Sequence, residues 1–378
     1  MKFVIAPDKY KGSLTGLEFC DAVEQGIQKV FPKATILKKP LADGGDGTIS
    51  VVKYYLKASE VLVEVNDPLF RKTQATYLLS GDKKVAFIEM SEASGYKLLS
   101  KKERNCSLTT TLGTGQLIAH ALDNGVTAIV LGIGGSATND GGIGMATALG
   151  YRFLDQAGDT VQPVGQDLGK IAQIDRTQVH SRLGEVKIKV ACDVNNPLYG
   201  PNGAAHVYGP QKGASGATVD FLDSGLRNLA DVILAQFEID VQQVSGAGAA
   251  GGMGAGALVF LNAVLASGVD LVKEMAHFDD AIDGADWIIT GEGQLDGQTL
   301  SGKTIAGALE SARAKQIPVA AFCGAVALSM TEIETMGLQY VTSILNQVGT
   351  LEQAKKDSYA NLMLASFNFA RLLQSTAP

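Results

Sequence analysis

Residues 291–304 read GEGQLDGQTLSGKT, and the last eight, GQTLSGKT, fit the phosphate-loop pattern G-x-x-x-x-G-K-S/T. In a phosphate loop, successive backbone N–H groups surround phosphate oxygens, the lysine neutralises charge and the hydroxyl ligates magnesium. The loop must leave a buried strand directly and open a helix, whose N-terminus then also faces the phosphates. Here the apolar strand signal DWIIT ends at Thr290, whereas the first glycine of the pattern is Gly297, so GEGQLD intervenes. That spacing argues against a phosphate-loop fold. Nor does any apolar strand ending in Asp stand out as the magnesium-holding partner such a fold uses.

The rest of the chain sets the fold class. Its 378 residues, 46% of them hydrophobic, suffice for a substantial core and imply about two domains. Thirty-two basic against 39 acidic residues give a net charge of −7, with no basic cluster, which argues against a nucleic-acid partner. The opening MKFVIAPDKYKG has only Phe3 to Ala6 as an apolar run before charges appear. Neither a signal peptide nor a membrane span is expected, and a cytoplasmic location is. Cys20, Cys106, Cys192 and Cys323 lie far apart with no C-x-x-C pair, so they read as small buried hydrophobes rather than zinc ligands.

Strand and helix signals alternate. Residues 2–6 read as a strand; Thr15 then caps a helix, with Glu18 three residues on as its capping-box partner. Phe19, Val23, Ile27 and Val30 follow at helical spacing until Pro32. A second strand at 34–38 leads into LADGGDGT. Residues 60–90 carry the runs VLVEV, ATYLLS and VAFIEM, separated by turns too short for parallel crossovers, which implies antiparallel pairing. Strands at 127–131, 186–191, 286–290 and 318–322 alternate with helical segments, and a helix near 359–373 closes the chain. The class is α/β. The expected organisation is a Rossmann- or flavodoxin-like parallel-sheet domain built from residues 1–63 and 282–378, with a mixed α/β domain, 64–281, inserted between them.

Five blocks place small residues and polar side chains just after a strand signal: APDKYKGS, LADGGDGT, GIGGSATNDGG, ACDVNNPLYG and TGEGQLDGQT. Ligands of α/β sheets bind outside the carboxyl ends of strands, so these loops are the candidate site. In the first, Asp8, Lys9, Lys11 and Ser13 precede a helix start that favours an anion, or form a solvated turn. In the second, Asp43 and Asp46 fit a hydrated magnesium ion as well as a turn. In the third, Gly134, Gly135 and Ser136 offer donors to a phosphate or carboxylate, while Asn139 and Asp140 could orient metal or substrate; close strand-to-helix packing is the competing reading. In the fourth, Asp193 at a strand end beside Asn195 and Asn196 suits an acceptor for a hydroxyl proton, or a turn cap. The run SGAGAAGGMGAGA satisfies G-x-G-x-x-G through Gly246, Gly248 and Gly251, but the preceding FEIDVQQV is too polar for the buried strand that a dinucleotide fingerprint needs.

Taken in order, these blocks resemble the type I glycerate kinase family over essentially the entire chain. APDKYKGS keeps Asp8, Lys11, Gly12 and Ser13 of the family opening, with Lys9 and Tyr10 replacing the usual pair. LADGGDGT keeps Asp43 and has Asp46 in place of a glutamate; GGSATNDGG is complete. ACDVNNPLYGPNGA, GPQKGA with Gln211 and Lys212, and GAGAAGGMGAG match closely, and TGEGQLDGQT matches through Glu292, Asp296, Gln298 and Thr299, followed by Gly302 and Lys303. The resemblance implies two α/β domains with the active site in their cleft, and magnesium- and ATP-dependent phosphorylation of D-glycerate to 2-phosphoglycerate. On these motif positions Asp193, Lys11 and Asp43 are the expected catalytic residues, and Asp8, Ser13, Asn139, Asp140 and Asn196 are expected at the substrate. Gly134, Gly135, Ser136, Glu292 and Lys303 would meet the nucleotide, and Asp43 and Asp296 the metal. Phosphorylation at the 3-hydroxyl, a nicotinamide-dependent dehydrogenase using the glycine run, and a non-catalytic small-acid sensor are the alternatives. A homo-oligomer is left open.

Overall fold

A computed structural model describes residues 1–44, 47–296 and 303–376. The chain divides into two compact units: Met1–Tyr55 with Gly268–Pro378, and Leu56–Ser267. The junctions therefore lie at 55/56 and 267/268, not at 63/64 and 281/282. Strand Ser59–Asn66 pairs along its whole length with Lys72–Leu79, which draws it into the second unit. Helix Gly268–Met275 packs against helix Lys303–Ala314 and so belongs to the first. Neither junction carries a change of composition that the sequence could have signalled.

The first unit is built on five parallel strands, Lys2–Ile5, Thr35–Lys38, Trp287–Thr290, Val319–Cys323 and Tyr340–Ser343. Numbered in chain order, they lie side by side as 2-1-3-4-5, the flavodoxin-like order. Alternate residues feed two cores, as a sheet covered on both faces requires. Phe3, Ile5, Ile289 and Phe322 pack with Phe19, Val23, Ile27 and Phe369 on one side. Val4, Ile288, Val319 and Ala321 pack with Val272, Phe278 and Leu309 on the other. Helix Gly16–Gln28 begins with the capping box of Thr15 and Glu18. Gly26 lets it lie against helix Leu351–Thr376, because a Cβ there would stand 2.4 Å from the Met363 carbonyl oxygen.

The second unit holds a six-stranded mixed sheet in the spatial order Val264–Ala266, Lys187–Ala191, Ala128–Gly132, Val85–Glu89, Lys72–Leu79, Ser59–Asn66. The first four are parallel and the last two join antiparallel. Val85–Glu89 pairs antiparallel with Lys72–Leu79, as the short turn implies, and parallel with Ala128–Gly132, to which a crossover helix, Leu112–Asp123, carries the chain.

After Thr290 the chain forms a further short strand, Gln294–Leu295, parallel to Ala325–Val326, before helix Lys303–Ala314. A phosphate loop has no room for that strand. Gly297, Gln298, Thr299 and Gly302, like Asp46, lie outside the described residues.

Candidate functional site

In the first unit the order of strands reverses between Lys2–Ile5 and Trp287–Thr290, the position where flavodoxin-like sheets bind ligands. The loops leaving these strands carry Asp8 to Ser13 and Glu292. Their close approach depends on glycine: a Cβ on Gly291 would meet the Phe322 carbonyl oxygen at 1.9 Å, and one on Gly324 would meet the Gly293 carbonyl oxygen at 2.4 Å. Asp8, Lys11, Ser13 and Glu292 line a pocket of about 870 Å³ whose other wall includes Ile344 and Val348. The Lys9 N–H donates to Asp8 Oδ1 at 2.7 Å. Burial raises the Asp8 carboxyl above the usual range, its own hydrogen bonds pull it back, and the nearby charge of Asp43 adds to the rise.

Two residues of the opening block are tied to the rest of the first unit by their hydroxyls. Tyr10, one of the two departures from the family pattern, is buried and donates its hydroxyl to the Phe322 carbonyl at 2.6 Å while stacking on Phe19. Ser13, expected at the substrate, is engaged by helix Leu351–Thr376: its hydroxyl donates to the Lys355 carbonyl at 3.1 Å and shares a 2.6 Å hydrogen bond with Ser358. Lys11 is exposed.

In the second unit the loop after Ala128–Gly132 divides by exposure. Gly134 and Gly135 are exposed, and a Cβ on Gly134 would have no atom within 4 Å. Ser136, Asn139 and Asp140 are buried. Asp140, expected at the substrate, accepts from the Thr111 N–H and hydroxyl at 2.7 and 2.8 Å, and from the N–H groups of Gly142 and Gly144 at 3.1 and 3.2 Å. With no exposed surface and both oxygens engaged, it anchors the loop. Asn139 is the opposite case: fully buried, with neither amide oxygen nor nitrogen paired among the described residues. Such a group awaits a water or a ligand.

The loop is held from below by Lys212, whose ammonium donates to Ser136 Oγ at 2.6 Å and to the Thr138 carbonyl at 2.8 Å. The glycine run closes over it from helix Ala249–Phe260. A Cβ on Gly251 would stand 2.0 Å from the Thr138 carbonyl oxygen, and one on Gly256 would stand 2.5 Å from that of Gly141. Gly246, Gly248 and Gly251 follow no strand, so the run serves packing rather than a dinucleotide. Asp193 stands half-buried two residues past strand Lys187–Ala191. The Asn196 amide donates to the Asn202 carbonyl at 2.9 Å and accepts from the Tyr208 hydroxyl at 2.6 Å, which ties down the loop beyond.

Among the described residues no group of three or more His, Cys, Asp or Glu side chains is arranged to hold a metal ion. Asp296 accepts from Gln294 Nε2 at 3.0 Å. The Lys303 side chain lies outside the described residues. Cys20, Cys106 and Cys323 are buried and Cys192 is half-buried. Among the described residues no helix is long and apolar enough to cross a membrane. Sequence reasoning passed over Glu89, the last residue of strand Val85–Glu89, because VAFIEM reads as strand alone. Its signal is the pairing with Gly132 in the neighbouring strand, which only the folded sheet displays.

The family model described as "Glycerate kinase family" matches residues 3–374. The chain is 45% identical to "Glycerate kinase" of Bacillus cereus over 370 residues, covering 98% of this chain and 97% of the relative. It is 42% identical to "Glycerate 2-kinase" of Escherichia coli over 373 residues, covering 99% and 98%. A crystal structure of a protein described as a glycerate kinase 2 from Salmonella typhimurium LT2 superimposes with a TM-score of 0.89 at 43% identity, covering 99% of this chain and 98% of that one. Matched from end to end in sequence and in fold, the chain belongs to the glycerate kinase family.

Proposed function

We propose that this enzyme transfers the γ-phosphoryl group of ATP to the 2-hydroxyl of D-glycerate, with magnesium, giving 2-phosphoglycerate. The observation that carries the reading is that the loops bearing Asp8, Lys11, Glu292, Gly134, Gly135 and Asp193 each leave the carboxyl end of a parallel strand in their own sheet, where α/β proteins bind ligands. The similarity to the E. coli protein named glycerate 2-kinase supports the choice of hydroxyl.

In the first unit, the 870 Å³ pocket falls within the roughly 300–1,000 Å³ typical of small-molecule sites, and the nucleotide is assigned to it, beside Glu292 and Lys303. Lys11 neutralises phosphate charge. Asp43 and Asp296 are the magnesium ligands; two carboxylates suffice, because magnesium keeps waters and phosphate oxygens for its remaining positions. The mutual repulsion of Asp8 and Asp43 fits a cation at this spot. When bound, magnesium supplies positive charge to the transferring phosphoryl group.

In the second unit, the backbone of Gly134 and Gly135, with Ser136, receives anionic oxygens. Asn139 and Asn196 orient the acceptor. Asp193 accepts the proton of the hydroxyl as its oxygen bonds to phosphorus and the bond to ADP breaks.

The test is a single-enzyme assay with ATP, magnesium and D-glycerate, reading ADP and identifying the product by phosphorus NMR. 2-Phosphoglycerate is expected. 3-Phosphoglycerate would overturn the regiochemistry but keep the kinase, and no ADP above the enzyme-free control would overturn both.

A further inference from the structure

Glu89 ends its strand in register with Gly132, which pairs in turn with Ala191, and Ala191 with Ala266. Partners in a parallel ladder point their side chains to the same face, so this row carries one carboxylate followed by a bare backbone and two methyl groups. Adjacent strands lie about 4.8 Å apart, which puts Ala191 roughly 10 Å from Glu89 along the row. Ala191 and Ala266 are half-buried, and Asp193 follows Ala191 by two residues.

The Glu89 carboxyl lies directly over Gly132. A Cβ at that glycine would stand 2.4 Å from Oε2, 2.7 Å from Cδ and 2.8 Å from Oε1, so any other residue would displace it. The carboxyl makes no hydrogen bond or ion pair with any described residue. Among the described residues the charge that acts on it is that of Glu92, which accepts from the Thr76 hydroxyl at 3.2 Å, and it repels. Burial, reinforced by that repulsion, raises the Glu89 carboxyl to about 7. Glu89 is half-buried, and an acid perturbed in this way with no partner in the fold is a candidate to meet a ligand.

We propose that Glu89 contacts the substrate, its carboxyl accepting the hydrogen bond of the glycerate hydroxyl that is not phosphorylated. The inference rests on the reading of D-glycerate as acceptor. The geometry selects that group. The substrate's own carboxylate would be repelled by Glu89, whereas a hydroxyl supplies the donor it lacks. With Asp193 serving the reacting hydroxyl from the far end of the row, Glu89 fixes the other hydroxyl and thereby decides which one faces the phosphoryl group.

The experiment compares binding of D-glycerate and D-lactate, which lacks the 3-hydroxyl, by titration calorimetry at pH 8 on the wild type, Glu89→Gln and Glu89→Met. The wild type should favour glycerate by about 10- to 100-fold, the span of a hydrogen bond to a charged group. In Glu89→Met that preference should fall below about threefold; Glu89→Gln, isosteric and still able to accept, should retain part of it. A Glu89→Met enzyme that discriminates like the wild type overturns the proposal. So does an equal loss of affinity for both acids, which would place Glu89 on the 2-hydroxyl or on the fold. A wild type that binds glycerate no better than lactate overturns the role of Glu89 alone, and one that binds neither overturns the acceptor reading as well.

Discussion

The ammonium of Lys212 donates to Ser136 Oγ at 2.6 Å from a position only 6% exposed, so a buried cation supports the loop that begins with two exposed glycines. Burial lowers this lysine to about 8, against the opposing pull of Cys106 and Asp140. The folded chain then holds the proton less tightly than the unfolded chain, whose lysine titrates near 10.4. The cost is complete below about pH 8 and disappears as pH rises towards 10. Urea unfolding at pH 7.5 and pH 10 should show the wild type gaining about 2–3 kcal/mol on Lys212→Met over that interval. Parallel pH profiles for the two proteins would show that the charge is not confined as described.

Loss of the same lysine leaves Ser136 Oγ and the Thr138 carbonyl without their donor, at about 1–3 kcal/mol each, while removing a buried charge offsets part of that. Lys212→Met at pH 7 should therefore fold, yet lose about tenfold or more in kcat/KM as the loop loses its anchor. Circular dichroism and steady-state kinetics check both halves.

Gly251 holds φ at +75° with no space for a Cβ, which would stand 2.0 Å from the Thr138 carbonyl oxygen. Gly251→Ala combines left-handed strain with backbone displacement and should cost about 3 kcal/mol or more, lowering Tm by several degrees. Gly158, equally left-handed at φ +86° but with nothing near its Cβ position, is the control. Gly158→Ala should cost about 1–2 kcal/mol. Equal losses at the two sites would reduce the Gly251 effect to backbone strain alone.

Local signals in the sequence carried much of this fold. The capping box of Thr15 and Glu18 and the gap between Thr290 and Gly297 each involve residues a few positions apart, where spacing alone reports geometry. The polar approach to Gly246 likewise told against a dinucleotide loop. What stayed hidden depends on contacts between distant segments. Asp140 is engaged by Thr111, 29 residues earlier, and the Ser13 hydroxyl by helix Leu351–Thr376, contacts that no local spacing reports. Glu89 draws its character from a glycine one strand away and 43 residues on, a relation that no motif encodes.

Glu89 also has a stability signature. Its carboxyl titrates near 7 in the folded chain, against about 4.3 when unfolded, so the folded state binds the proton more tightly. The wild type is unpenalised below about pH 4, loses stability as pH rises from there to about 7, and carries the full cost above. Glu89→Gln should match the wild type at pH 4 and exceed it by about 3–4 kcal/mol at pH 8, measured by urea unfolding. A glutamine variant less stable than the wild type at pH 8 would mean that the ionised carboxylate has a partner in the fold.

Asp193→Asn separates chemistry from architecture at the other end of the same row. The residue stands half-buried beyond Ala191, past the last ladder pair of its strand, so replacing a carboxylate by an amide of equal size leaves the sheet pairing intact. An amide cannot take up the hydroxyl proton, and loss of a positioned general base lowers turnover by about 10²–10⁴. The expectation is a kcat reduced by that factor with glycerate affinity changed by less than about threefold, because the proton moves only as the phosphoryl group transfers. Near-normal kcat would remove Asp193 from the role of base. A rise in KM with kcat preserved would make it a binding residue, and the proton would then leave through solvent or the phosphate itself.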